Sequence, residues 1–145
     1  MESSQSSTIH TNTPTSDNAT DTASSETPSS TPFPSGLSCL ITIARAHGIA
    51  ADPSQLLHEF GETEATFSSR AILLAARHVG LVAEQRRVKP ERIEKVAMPA
   101  IFVERSGDFG IVGRVDATDA EPRLLIHRPT SSHPAWMSIE DFSDI

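Results

Sequence analysis

The sequence predicts an α+β domain in which N-terminal helices pack on an antiparallel β-sheet. Between Gly36 and Gly80, apolar residues recur at helical spacing in three separate stretches. From residue 81 onward, short stretches rich in β-branched and aromatic residues are separated by turn-forming residues. Because the helices come first and the strands follow, we expect the strands to pair antiparallel with one another.

The first helix is predicted by an apolar stripe that ends at Gly48. Its members are Leu37, Leu40, Ile41 and Ala44. The second helix begins where Asp52 can accept a hydrogen bond as the N-cap residue and Pro53 occupies the first helical position. The third helix is predicted over residues 68–79, where a further apolar stripe stops at a glycine.

The strands are predicted from shorter patterns. The stretch "LVAEQRRV" at residues 81–88 alternates and indicates a strand, and "PERIEKV" after it indicates a short helical crossing. Three further strands are expected at "PAIFVER", "FGIVGRV" and "RLLIHR", the first two joined by the turn "SGD". The stretch "SIEDF" near the end predicts one short helical turn.

A change of composition separates this predicted domain from the residues before it. Residues 1–35 contain ten Ser, eight Thr and four acidic residues, but no Lys or Arg. Such a segment buries too little apolar surface to offset the entropy of ordering it. We therefore predict a disordered leader over residues 1–34 and a domain over residues 35–145, with a further short strand expected beyond Ile145.

Composition also excludes several classes of function. The net charge of −7 argues against nucleic acid as a partner, and a single cysteine excludes an intramolecular disulfide framework. No apolar run approaches the roughly 18 residues of a membrane helix, so we expect this chain by itself to be soluble. The six histidines lack metal-ligand spacing, and no glycine-rich loop precedes a helix and lysine, so neither a metal nor a bound cofactor is predicted.

One stretch of the predicted domain is unusually basic. Residues 86–95 contain Arg86, Arg87, Lys89, Arg92 and Lys95 together with only two glutamates. A run of this kind is usually a solvated face. The more specific alternative is that it forms an edge of the domain that binds an acidic peptide.

The stretch "SGLSCLITIARAHGIAADPSQLLHEF" resembles the papain-like cysteine peptidase domain at the N-terminus of peptide- and toxin-exporting ABC transporters. That family begins with D-C-G-x-A-C-L, in which the first cysteine is the nucleophile. The resemblance continues through "ILLAARHVGL" and "MPAIFVERSGDFGIV" to "LLIHRP", so it covers roughly residues 35–142. It implies a papain-like cysteine peptidase fold.

The resemblance also implies that the catalytic positions are replaced in this chain. Ser35 occupies the nucleophile position, and Cys39 matches the second, structural cysteine of the family. The catalytic histidine falls on Phe109, or on Asp108 if the match shifts by one residue, and the orienting aspartate falls on His127. The oxyanion-hole glutamine has no counterpart. A serine without a neighbouring base is a poor nucleophile, so we expect no enzymatic activity.

Degenerate members of this family are known in type I secretion transporters that export RTX toxins. By resemblance, this chain is a non-catalytic domain that binds the unfolded secreted protein for export. The expected binding residues are Ser35, Phe102, Val103, Phe109 and His127. The further partners implied are the membrane and nucleotide-binding domains of the transporter, at the cytoplasmic face of the bacterial inner membrane. ATP would then belong to the parent transporter and not to this chain.

Two alternatives remain open from the sequence. The first is an active peptidase that removes a leader peptide, which would require Ser35 or Cys39 to have a base elsewhere in the chain. His47 and His78 are the available imidazoles. A third class is a regulatory or structural domain that binds no peptide at all.

Overall fold

A computed structural model describes residues 33–145, so the predicted leader falls outside the described residues except for Phe33 and Pro34. Four α-helices, one 3₁₀ helix and four β-strands occupy this range. The helices are α1 (Ser35–Ala46), α2 (Pro53–Phe60), α3 (Ser69–His78), the 3₁₀ helix (Pro90–Lys95) and α4 (Ile139–Asp144). The strands are β1 (Ala100–Val103), β2 (Phe109–Asp116), β3 (Arg123–His127) and β4 (Ala135–Ser138).

The helices begin and end where their capping residues predict. The Asp52 carboxylate accepts a hydrogen bond from the backbone N–H of Gln55 at 2.9 Å at the start of α2. Ser68 caps α3 through its side-chain oxygen. Gly48 and Gly80, which follow α1 and α3, have φ angles of +70° and +89°, a conformation that favours glycine. The three predicted N-terminal helices are confirmed.

The four strands form one antiparallel sheet in the order β1-β2-β3-β4. A tight turn joins β1 to β2, in which the N–H of Glu104 donates to the carbonyl of Asp108 at 2.8 Å and Gly107 has a φ of +93°. The α+β class and the antiparallel pairing predicted from the order of elements are confirmed.

The sheet separates two apolar clusters. The helical core lies between α1, α2 and α3 and receives Ile101 and Phe109 from the sheet. Its buried members are Leu37, Leu40, Ile41, Leu56, Phe67, Ala71, Ile72, Ala75 and Ala76. The far-face core receives Phe102 from the sheet, and its buried members are Ile93, Val112, Leu124 and Ile126. Because Ile101 and Phe102 are consecutive, they point to opposite faces, as strand geometry requires.

The structure differs from the predicted strands in two places. The prediction of a strand at residues 81–88 is wrong, because this segment has no ladder partner among residues 33–145 and is assigned no regular structure. Strand β4 was not predicted, since its four residues carry little apolar alternation. It forms because it pairs with β3, where Leu125 lies opposite Trp136. Both differences arise because a strand is defined by its partner as much as by its own sequence.

Candidate functional site

A cleft of about 480 Å³ opens at the N-terminus of α1. Its three walls are the first turn of α1, the loop that leads into α3, and the turn between β1 and β2. The lining residues are Pro34, Ser35, Gly36, Ala65, Thr66, Phe67, Ser68, Ser69, Gly107, Asp108 and Phe109. The cleft therefore lies where the helical layer meets the sheet.

A hydrogen bond between Ser35 and Phe109 joins two walls of this cleft. Ser35 is the first residue of α1 and Phe109 is the first residue of β2. The backbone N–H of Phe109 donates to the hydroxyl oxygen of Ser35 at 3.0 Å. The structure thus brings together two residues 74 positions apart in the sequence, which the resemblance assigns to the nucleophile and histidine positions.

Gly36 allows the sheet to approach the helix this closely. A Cβ atom at this position would lie 2.7 Å from the backbone oxygen of Phe67 and 3.1 Å from Cδ2 of Phe109. The first distance is shorter than any ordinary carbon–oxygen contact, and the backbone oxygen cannot move aside easily. Glycine at position 36 is therefore required by packing, and the phenyl ring of Phe109 rests against the first turn of α1 because of it.

The loop wall is held by Glu62. Its carboxylate accepts hydrogen bonds from the hydroxyl of Ser68 and from the backbone N–H of Ser68, the latter at 3.2 Å. These bonds, the side-chain bond first, hold the pKa of Glu62 below its usual value. The Ser68 oxygen also accepts from the N–H of Ala71 at 3.3 Å. One serine therefore connects the loop to the start of α3.

The turn wall contributes Asp108, the one ionisable side chain among the lining residues. Its carboxylate accepts from the hydroxyl of Ser106 at 3.2 Å, and its N–H donates to the same oxygen at 3.3 Å. Both bonds stay within the turn, so Asp108 is held beside the cleft and makes no ion pair in the described part of the chain.

Cys39 lies on α1 but is not among the lining residues of the cleft. Its side chain is fully buried, and burial raises the pKa of its thiol to about 12. A thiol must lose its proton before it can attack a carbonyl, so this environment makes Cys39 unreactive at neutral pH. The burial agrees with the structural role that the resemblance implies for this residue.

Two of the other predicted binding residues, Val103 and Phe102, lie on opposite faces of β1. Val103 is paired with Phe109 across the strands and is 52% exposed, so its side chain borders the cleft side of the sheet. Phe102 belongs to the far-face core, where its ring contacts Phe142 with centroids 5.0 Å apart. The structure does not bring Phe102 to the cleft.

His127 lies on β3 opposite Ile111 and is partly buried. Ile111 and Phe109 are two residues apart on β2, so His127 occupies the same sheet face as Phe109. It is not among the residues that line the cleft. Of the five predicted residues, the cleft thus contains Ser35 and Phe109, while Val103 and His127 lie on the adjoining sheet face.

The sequence carries no local signal for the loop wall of the cleft. Residues 65–69 come near Ser35 only because α2 and α3 pack on α1, and a short polar stretch carries no signal of that contact. Gly36 was visible in the sequence as a glycine one residue after the start of a helix. That position was a usable signal. Glycine inside a helix lowers stability, so its presence there indicates that close packing requires it.

The chemistry available in the cleft follows from its lining. None of the histidines between residues 33 and 145 is among the lining residues, and Cys39 is not among them either. The described residues also place no group of three His, Cys, Asp or Glu side chains where a metal ion would bind. What the cleft offers is several hydroxyls, two phenyl rings, backbone groups and the carboxylate of Asp108.

N-terminal helices packed on one antiparallel sheet, with a cleft where the two layers meet, place the described residues in the α+β class. The chain belongs to the peptidase C39 family, whose sequence pattern matches residues 33–145. Within residues 33–145, no helix is both long and apolar enough to cross a membrane.

Curated relatives of the chain are toxin-export proteins. Over 108 residues, or 74% of the chain, it is 43% identical to the cyclolysin secretion/processing ATP-binding protein of Bordetella pertussis. Over 110 residues, or 76% of the chain, it is 32% identical to the toxin RTX-I translocation ATP-binding protein of Actinobacillus pleuropneumoniae. The match spans about 15% of the length of each of these relatives.

Solved structures have the same fold. The N-terminal peptidase C39-like domain of a toxin secretion ATP-binding protein from Vibrio parahaemolyticus superimposes with a TM-score of 0.65 at 24% identity. That match covers 77% of this chain and 88% of the other. A double-glycine motif protease from an AMS/PCAT transporter, solved with its leader peptide, gives a TM-score of 0.65 at 20% identity, covering 76% of each chain.

Proposed function

We propose that this chain is a non-catalytic peptidase-like domain of a type I secretion ABC transporter, and that its cleft binds the unfolded secreted protein. The observation that carries the proposal is the contact between Ser35 and Phe109. In an active member of the family, these positions would carry a thiol and an imidazole. Here a hydroxyl accepts a backbone hydrogen bond and a phenyl ring packs beside it.

The absence of any histidine of residues 33–145 from the lining of the cleft supports the same proposal. A serine hydroxyl attacks a peptide bond only when a neighbouring group takes its proton. No histidine of the described part of the chain lines the cleft, and the carboxylate of Asp108 accepts a hydrogen bond from the hydroxyl of Ser106 in its own turn. Cys39 offers no alternative nucleophile because it is buried and keeps its proton.

The walls of the cleft favour an extended, unfolded ligand. They combine apolar surface at Phe109 with backbone groups of the loop and the turn, and the exposed Val103 lies on the adjoining sheet face. An unfolded chain presents both apolar side chains and unpaired backbone groups, whereas a folded protein has already buried them. We therefore propose that the ligand is an unfolded segment of a secreted, RTX-type protein.

The wider context is proposed from the relatives. The sequence relatives are named as ATP-binding proteins that secrete or translocate toxins. We propose that the domain works beside membrane and nucleotide-binding domains at the cytoplasmic face of the inner membrane. ATP would bind to those domains, because the described cleft contains no phosphate-binding loop.

The test compares two states of one ligand. Labelled full-length chain is titrated with a calcium-binding RTX repeat region, once without calcium, when it is unfolded, and once with calcium, when it is folded. We expect binding in the micromolar range or weaker to the calcium-free form and none to the calcium-loaded form. Equal binding to the two forms would overturn the proposal.

Variants locate the binding in the cleft. Ala65→Arg places a long side chain in the cleft from an exposed position, and we expect at least tenfold weaker binding. The matched control is Ala117→Arg, which adds the same side chain at an exposed position after β2 and should leave affinity within twofold. Phe109→Leu, which keeps the apolar packing, tests the ring with less risk to the fold.

The peptidase alternative has its own outcome in the same experiment. The ligand is checked for cleavage by mass spectrometry with the wild-type chain and with Ser35→Ala. We expect no cleavage by either and unchanged binding for Ser35→Ala, because no covalent step is proposed. Cleavage that is lost in a folded Ser35→Ala variant would assign the chain to the active peptidases of the family.

A further inference from the structure

Residues 82–88 form a segment whose backbone has no hydrogen-bond partner in the part of the chain that the structure describes. The segment is attached at both ends. The N–H of Leu81 donates to the carbonyl of Ala76 at 2.8 Å, and the carbonyl of Lys89 accepts from the N–H of Arg92 at 2.9 Å. Between these two bonds, no backbone group of the segment is paired with another described residue.

Most of this segment is exposed, so its backbone groups face water as those of a sheet edge do. Backbone N–H and C=O groups are strong hydrogen-bonding groups, and an exposed row of them is a template for pairing with another strand. The sequence of residues 81–88 alternates as a strand does, yet it forms no ladder with any residue from 33 to 145. Seven extended residues would span about 23 Å, which is the length of an ordinary strand. The segment thus has the sequence of a strand but no partner strand within the described part of the chain.

The segment rests on the domain on one side only. Leu81 and Ala83 pack against the helical core, which fixes the start of the segment. Val82, between them, is fully exposed at 102%, and Val88 is 40% exposed. These exposed valines provide apolar contacts that a neighbouring strand would cover.

Charge identifies the kind of strand that would fit. Arg86, Arg87 and Lys89 are exposed, and Glu84 is the one acidic residue between positions 81 and 89. Glu84 already pairs with Arg86 at 2.6 Å, which leaves the positive charges of Arg87 and Lys89 in excess. The remainder of the chain is acidic, with a net charge of −7 overall. The positive charges of this segment therefore attract an acidic ligand, which the net charge of the chain as a whole opposes.

We propose that residues 82–88 bind an acidic peptide in extended conformation, which adds to the domain as a β-strand. The peptide would pair with the backbone groups that have no partner among residues 33–145, cover the exposed valines and place carboxylates beside Arg87 and Lys89. None of these residues lines the cleft at α1. The proposal is therefore independent of the function proposed for that cleft.

The test uses three synthetic peptides and the full-length chain. The probe is a capped heptapeptide, Glu-Val-Glu-Thr-Glu-Val-Glu. One control replaces every Glu by Lys, and a second carries N-methyl groups on alternate residues, which keep the charge but block backbone pairing. We expect the acidic peptide to bind, the N-methylated peptide to bind at least tenfold more weakly, and the Lys peptide not to bind. Raising the salt concentration should weaken the acidic peptide's binding.

The position of binding is read by amide hydrogen exchange measured by NMR. Strand pairing protects alternate residues, so we expect every second amide between residues 82 and 88 to become protected when the peptide is added. Arg87→Glu should weaken binding at least tenfold. Its matched control is Arg77→Glu, an exposed arginine on α3, which should stay within twofold. Ala65→Arg should leave this binding unchanged, which separates it from binding in the cleft.

Three outcomes would overturn the proposal. The first is equal binding of the N-methylated and unmodified acidic peptides, since charge alone would then explain it. The second is binding without protection of residues 82–88. The third is pairing of this segment with a second copy of the chain, seen as concentration-dependent dimerisation that the peptide does not reverse.

Discussion

At the scale of single residues, the chemistry of this domain is decided by where a side chain is buried. Cys39 and Ser35 lie one helical turn apart on α1, yet the thiol is enclosed in the domain and the hydroxyl faces the cleft. Burial keeps the thiol protonated, and the hydroxyl accepts a backbone hydrogen bond from Phe109. Cys39, whose thiol would be the better nucleophile of the two, is therefore the residue that cannot react.

A first prediction concerns this thiol. Because its pKa is raised to about 12 by burial, Cys39 should react with a thiol-directed peptidase inactivator only when the protein is unfolded. Labelling followed by mass spectrometry at neutral pH, with and without denaturant, measures this. Cys39→Ala should cost about 1 kcal/mol of unfolding free energy and leave binding intact. Rapid labelling of the native protein would contradict the structural role.

A second prediction concerns Glu62 and pH. Its pKa is lowered in the folded state by the hydrogen bonds from Ser68, so its contribution to stability is present above its ordinary pKa, near 4.5, and is lost as the pH falls through the lower folded value. The unfolding midpoint of Glu62→Gln should therefore lie below that of the wild type at pH 7, and the two should converge in acid. Thermal unfolding from pH 2 to 7 measures the difference.

The control for this carboxylate is Glu64→Gln, an exposed glutamate in the same loop. The unfolding midpoint of Glu64→Gln should equal that of the wild type across the whole pH range. A difference between Glu62→Gln and the wild type that persists unchanged at pH 2 would exclude ionisation as the cause.

At the scale of elements, the contact between α1 and β2 builds the cleft. The first turn of α1 meets the first residue of β2 because glycine at position 36 leaves room for the ring of Phe109 and the backbone of Phe67. The loop before α3 closes the third side, held by Glu62 and Ser68. The cleft is thus a product of three elements that are distant in sequence.

A third prediction tests that contact. Gly36→Ala should destabilise the domain by about 1–3 kcal/mol, although alanine is the better helix former, because the added Cβ meets a backbone oxygen at 2.7 Å. The matched control is Gly113→Ala on β2, where the nearest atom would lie at 3.9 Å. That change should stay within about 0.5 kcal/mol. Denaturant unfolding of both variants measures the two free energies, and equal values would contradict the packing argument.

At the scale of the whole described domain, one sheet joins two apolar cores. Consecutive residues of β2, Ile111 and Val112, are both buried, and Val112 belongs to the far-face core. The two faces of the strand therefore serve different clusters, and loss of either cluster removes support from the same sheet. We expect the two cores to unfold together.

A fourth prediction follows from the shared sheet. Leu37→Ala in the helical core and Leu124→Ala in the far-face core should each cost about 2–5 kcal/mol, because both side chains are fully buried. In each variant, far-UV circular dichroism and the fluorescence of Trp136 should report one coincident transition. The 42%-exposed Leu74 provides the control, and Leu74→Ala should cost less than about 1 kcal/mol. Separate transitions would mean that the two cores are independent.

Much of the fold follows from local sequence signals. The three N-terminal helices were predictable because their apolar stripes, and the N-cap residue Asp52, act within a few residues. The turn at Gly107 was predictable for the same reason. The placement of Cys39 was also predictable, because the resemblance assigned it a structural position that burial then explained.

What only the tertiary structure decided are the contacts between distant residues. The sequence could not show that residues 81–88 lack a partner within residues 33–145, that Ala135–Ser138 pairs with β3, or that Phe102 turns away from the cleft. It also could not place the loop at residues 65–69 beside Ser35. Strand pairing and cleft walls depend on which elements meet in space, and that choice is made by the packing of the whole domain and not by any local pattern.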